Sequence, residues 1–282
     1  YANFEDAKLS GADFSKADLT NSNFKNANLD GANFTGSLAS DSLFNGANLN
    51  SASFLAAVLK NSSFQQSKVM KADFSSASLE GAHFFGTNLS EAIFKRSDLS
   101  NAIFTGSDLS SADFSSSDLS GADLSEAKNI SKILLSGTKI SDATKWPKTL
   151  HLVWRIVNDD MSDEDESLIV SDGLAKVYLK DTSLSQKNIK GVDLSGSNIV
   201  GVNLSLADMQ KGNFSDTYIE NTDFTNSNLE GANFSRAEIH RADFSSANAN
   251  NANFNDITAD GFNMKFALLE KAQFKKARIK KA

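Results

Sequence analysis

In 282 residues the sequence has no cysteine, one proline, two tryptophans, three tyrosines, three histidines and four methionines. Without cysteine there is no disulfide framework, no thiolate metal site and no cysteine nucleophile, and the redox compartment stays open. No run of about 18 apolar residues occurs, so no membrane-spanning helix is expected. Position 1 is Tyr, so the chain is expected to be processed or trimmed, with any preceding targeting segment out of view.

Phenylalanine, by contrast, occurs 21 times, which suggests that one aromatic side chain is reused for one geometric task. From Phe4 onward a large apolar residue recurs at every fifth position: Leu9, Phe14, Leu19, Phe24, and so on to Phe114, Leu119 and Leu124. Only Ala39 and Val69 depart from Phe or Leu in that run. Two residues before each stands Ala, Ser or Thr, as at Ala2, Ser22, Thr87 and Ala122. The repeating motif is (Ala/Ser)-(Asp/Asn)-(Leu/Phe)-x-x.

A period of five fits neither an α-helix nor a long strand, so no single extended element places these residues on one side. A coil that turns a corner every five residues does. Four such units make a square turn of about 20 residues, stacked on the next at the strand spacing of roughly 4.8 Å. The large residue and the small one two positions earlier then point inward, and the other three positions face water. Phe and Leu alternate, so two Phe ladders and two Leu ladders are expected on opposite walls. The motif resembles the pentapeptide-repeat family over most of the chain. That resemblance implies an all-β solenoid, a right-handed quadrilateral β-helix, interrupted by a short α-helix and loop.

Three regions are expected: a first array over 1–140, an insert over 141–173 and a second array over 174–282. After Leu124 the beat slips by one residue, through Ile130, Leu135 and Ile140. The insert holds the only proline and both tryptophans, Trp146 and Trp154. Leu150, Val153, Trp154 and Val157 fall at helical spacing, so Thr149 to Asn158 reads as an amphipathic helix started by Pro147. Residues 159–166 form an acidic block read as a solvated loop. The segment Trp154-Arg155-Ile156-Val157-Asn158 resembles the insert of cyanobacterial pentapeptide-repeat proteins, and that resemblance makes the periplasm or thylakoid lumen as plausible a location as the cytoplasm. In the second array, Lys187 takes a slot expected to be small, predicting a bent coil or an outward-snorkelling ammonium. Ala249 and Ala259 replace large centres while Ile257 and Phe262 fill small slots, a volume-conserving exchange. A solenoid's ends need covering, and the basic run Lys275, Lys276, Arg278, Lys280 and Lys281 is a candidate cover.

Candidate chemistry is sparse. His83 and His240 occupy outward slots and His151 the helix, so they are read as surface residues and not as a catalytic set. Serines follow from the small-residue slot, and aspartates before the central residue read as turn chemistry. No catalytic residue, cofactor, metal ligand or small-molecule substrate is expected. The expected role is a structural or protein-interaction scaffold, with no nucleic-acid partner, as a monomer or end-to-end dimer. Resemblance to quinolone-resistance members of the family implies an alternative, binding of DNA gyrase by mimicry of duplex DNA. Against that, acids exceed bases over 1–124 but not over 174–282, and no outward column is uniformly acidic. The apolar residues at outward slots, Leu38, Val58, His83 with Phe85, and Ile103, are the expected protein contact.

Overall fold

The small-polar-large triplet explains the local geometry before any packing is considered. Where Asp or Asn precedes the central residue, its side chain accepts the backbone N–H two positions on, as from Ser75 to Asp73 at 2.9 Å and from Thr225 to Asp223 at 2.8 Å. This closes the corner locally. The second corner residue then takes a left-handed conformation, φ 58° at Asp6 and 69° at Gly46. At Gly46 a Cβ would lie 2.5 Å from Asn26 Oδ1, so glycine is there for space as well as for its backbone freedom.

The computed structural model describes residues 1–158, 169 and 174–280. They form two compact units, Tyr1–Pro147 and Lys148–Ala282. In the first, the residue before each centre pairs in parallel with its counterpart a full coil later: Asn3 with Asn23, Asn23 with Leu43, and onward through His83, Ile103 and Asp123. The spacing of 20 makes the coil four-sided. Phe24, Phe34, Phe44, Phe54 and their successors to Phe114 are fully buried. Rings one coil apart stack, as Phe54 over Phe74 at 4.8 Å and 2°, while rings on facing walls meet edge-on, as Phe64 and Phe74 at 5.7 Å and 90°. Such pairs add about 0.5–1.5 kcal/mol beyond the area they bury. Many inward hydroxyls donate to backbone carbonyls, as Ser42 to Leu19 at 2.7 Å and Thr87 to Phe64 at 2.6 Å, whereas those of Ser37 and Ser117 are buried without a partner.

The register slip after Leu124 is absorbed without breaking the column. A 3-10 turn at Ile130–Lys132 takes up one extra residue, so that pairing resumes at Asp113 with Leu134 and Asp118 with Lys139, and a second extra residue between Lys139 and Lys145 sets Lys145 against Asp123. Leu135 is buried. The last of these pairs sets Trp146 over Leu124, on the column of Phe84 and Phe104, where it is half-buried.

In the second unit one wall is drawn out into three-residue strands: β1 Tyr178–Lys180, β2 Asn198–Val200, β3 Tyr218–Glu220, β4 Glu238–His240, β5 Thr258–Asp260 and β6 Arg278–Lys280. They form one parallel sheet in that order, with Leu179, Ile199, Ile219, Ile239, Ala259 and Ile279 in register. The β-branched Ile residues on this wall suit the extended form. Phe262 packs edge-on against Phe244 at 5.1 Å, filling space beside the buried Ala249 and Ala259, as the exchange of volumes requires. The coil at Lys187 is not bent. Its carbonyl accepts Asp208 N–H at 2.9 Å in the ordinary pairing, and its side chain is partly exposed.

Helix α1, Lys148–Val157, belongs to this second unit. Its buried residues are Leu150, Leu152, Val153 and Ile156, whereas Trp154, expected on the packing face, is half-exposed. The face is set by a spacing of three from Leu150, which turns Trp154 toward the edge. Leu152, Val153 and Ile156 join one core with Leu174, Val177 and Leu179, and Thr182 Oγ1 donates to the Ile156 carbonyl at 2.8 Å. The acidic block at 159–166 lies outside the described residues.

Candidate functional site

Because the backbone fixes every outward side chain on a column, apolar residues at outward slots have defined neighbours. Leu38 pairs with Val58 on one wall of the first unit. Leu38 is 48% exposed, and Leu55, at the corner just before Val58, is 41% exposed. On the next wall His83 pairs with Ile103, and Phe85, 46% exposed, stands at the corner that follows His83. The five residues expected as a contact therefore form two patches on adjoining walls. Leu43, across the corner from Leu38, lies on the same column as His83 and Ile103, with Ser63 between.

The sequence reading took one residue from the slot just after the centre, Phe85, but missed Leu55 and the exposed Met70 at the same slot. Their signal was present as Leu or Met where the motif expects a polar corner. It also missed a polar cluster on the sheet of the second unit. There His240 Nε2 lies 3.0 Å from Glu238, the Tyr218 ring lies 5.5 Å from that of His240, and Tyr218 donates to Glu220 at 2.8 Å. Arg241 binds Glu220 and donates to Asn221 at 2.8 Å. These side chains lie far apart in sequence, and the 20-residue coil alone brings them together. The expected Trp146 and Trp154 lie in different units, Trp146 topping a core column and Trp154 near His151, ring centroids 6.2 Å apart.

Acids of the first unit are arranged as a ring, not a stripe. Asp108, Asp113, Asp118 and Asp123 stand one per wall, and Lys128, Lys139 and Lys145 follow on three of those walls one coil later. Lys145 meets Asp123 at 3.0 Å and Lys95 meets Asp113 at 3.1 Å. Burial works to raise Asp118 and Asp123, but the hydroxyl and N–H donors of Ser120 and Ser125, with Lys139 and Lys145, hold both below the usual carboxylate range. Asp108 is lowered in the same way, burial being outweighed by Ser110, Asn129 and Lys128. Depressed native values mean stability that is present above the unfolded carboxylate pKa and lost as pH falls through the native ones. The thermal midpoint of the protein is thus expected to drop below about pH 4. A triple Asp108→Asn, Asp118→Asn, Asp123→Asn variant should show a shallower acid limb in a pH series of melting curves, and an unchanged limb would refute the assignment.

Among the described residues, no cluster of three His, Asp or Glu side chains is placed to hold a metal ion, and no helix is long and apolar enough to cross a membrane. The profile for pentapeptide repeats matches in eight copies, over residues 1–37, 40–75, 70–106, 92–128, 102–142, 174–210, 188–226 and 213–248. The chain belongs to the pentapeptide repeat family.

Among solved pentapeptide repeat proteins, it is similar to HetL, involved in heterocyst differentiation regulation in the cyanobacterium Nostoc sp. strain PCC 7120. The identity is 19%, covering 96% of this chain and 91% of that one, with a TM-score of 0.25. It is also similar to QnrB1, a plasmid-mediated fluoroquinolone resistance protein, at 16% identity over 79% of this chain and 84% of that one, TM-score 0.27. A pentapeptide repeat protein of the Arabidopsis thaliana thylakoid lumen is 33% identical over 40% of this chain and 68% of that one, TM-score 0.19. No curated protein matches in sequence.

Proposed function

We propose that this pentapeptide repeat protein is a non-catalytic scaffold that holds a protein partner against the first unit. The observation that carries this reading is the cluster of Leu38, Leu55 and Val58, with His83, Phe85 and Ile103 on the adjoining wall, at slots the motif otherwise fills with polar residues. Exposed apolar side chains fixed by a hydrogen-bonded backbone lose little freedom on binding, which favours a preorganised contact. Mimicry of DNA toward gyrase has less support, because the aspartates ring the coil and pair with lysines instead of lining one side.

The test is affinity capture from the source organism with Leu38→Asp and Phe85→Asp as separate variants. A partner held by the unaltered protein and lost by one variant supports that patch. Partners retained equally by both variants remove the reading, and inhibition of gyrase supercoiling by the protein would favour the mimicry instead.

A further inference from the structure

The second unit changes character at residues 261–280. Where the preceding coil has Ser245, Ser246, Asn248 and Asn251, this one has Lys265, Phe266, Leu268 and Lys271 on the same columns, as the pairing of Asn248 with Leu268 and the Ser246 N–H to Lys265 carbonyl bond of 2.9 Å establish. With Glu270, which replaces Asn250 and lies beside Lys271, these slots span a corner, a wall and the next corner. Phe266 is 76% and Leu268 56% exposed, the most exposed apolar side chains of this unit among the described residues. Phe266 takes the left-handed corner, φ 62°, as Ser246 does one coil earlier, and its ring stands out from that corner into solvent. Lys265 Nζ lies 5.0 Å from its centroid.

Charge changes over the same residues. Besides Lys265 and Lys271 the coil carries Lys275, Lys276, Arg278 and Lys280, all exposed, against the single acid Glu270. Lys265 and Lys271 stand at the two corners that bound the Leu268 wall, Lys275 and Lys276 at the corner after that, and Arg278 on the wall opposite Leu268, so the first four are the cations a surface meeting Phe266 and Leu268 can reach.

We propose that this coil docks on an anionic phospholipid surface, with Phe266 and Leu268 entering the headgroup boundary and Lys265, Lys271, Lys275 and Lys276 holding the lipid phosphates. A purely polyanionic partner would need the cations alone. The rigid apolar pair between Lys265 and Lys271 is the feature that fits a bilayer interface, where modest apolar insertion and a basic cluster act together. This site is on the second unit and does not depend on the protein contact proposed for the first.

The experiment is co-sedimentation of the full chain with vesicles of phosphatidylcholine containing phosphatidylglycerol, beside vesicles of phosphatidylcholine alone. Binding is expected only to the former, weakening steeply with salt. Each cation is worth roughly fivefold in partitioning, so a Lys275→Glu, Lys276→Glu variant should lose tenfold or more. A Phe266→Ser, Leu268→Ser variant should bind more weakly while keeping its melting temperature, because both side chains are exposed. No binding to the anionic vesicles, equal binding to neutral ones, or unchanged binding by the serine variant overturns the proposal. So does retention on duplex DNA or heparin without any binding to vesicles.

Discussion

Phe74→Ala is expected to destabilise the first unit by about 3–5 kcal/mol. The ring is fully buried and stacks on Phe54 at 4.8 Å and Phe94 at 5.0 Å, with Phe64 and Phe84 edge-on at 5.7 and 5.9 Å. Truncation therefore removes four ring contacts and leaves a hole in the middle of a column. Its neighbours are fixed by the hydrogen bonds of their own coils, so they cannot collapse to fill the space, which places the cost toward the upper part of the usual range. Phe4→Ala, at a half-exposed position, should cost clearly less. The measurement is equilibrium denaturation, and a Trp154→Phe background leaves Trp146 as the fluorescent reporter of the first unit. Equal losses for Phe74 and Phe4 would show that the ladder is not the main source of stability.

Ile156→Asp is expected to release helix α1 from the second unit. Ile156 is fully buried beside Leu152, Val153, Leu174 and Leu179, and its carbonyl accepts the Thr182 hydroxyl. Loss of a buried aliphatic side chain alone costs about 2–5 kcal/mol, and a carboxylate in that apolar setting adds the price of desolvation. The coil at 174–189, which the helix covers, should then exchange its amide hydrogens faster, while coils around Phe224 and Phe234 keep their protection. Thr182→Val removes only the hydrogen bond and should weaken the helix contact by about 1 kcal/mol. Unchanged exchange at Leu174 and Leu179 in the Asp variant would mean that the helix does not protect this coil.

Much of this architecture was legible because a five-residue period has one low-energy way to bury its central residue. Phe24 and Leu29 announced their walls by position alone, and the exchange of Ala259 with Phe262 was visible as misplaced volume. The helix was legible as an element, but its buried face was not, because Trp154 and Ile156 both satisfy an apolar pattern and only the packing against Leu174 and Leu179 selects between them. The apolar patch proposed as a contact was half legible. Leu38 and Val58 sit on one column, but Leu55 joins them only because a corner turns the chain beside Val58.

The sequence by itself determined the coil: its period, its inward side chains, its corner residues and hence its columns, since each follows from local steric and hydrogen-bonding rules repeated without long-range choice. Tertiary structure decided what the columns bring together. Coils stacked 20 residues apart set His240 beside Tyr218 and Glu238, and close Asp108 to Asp123 into a ring answered by lysines. Such groupings depend on side chains meeting across coils, and a repeat that leaves its outward positions free cannot specify them locally.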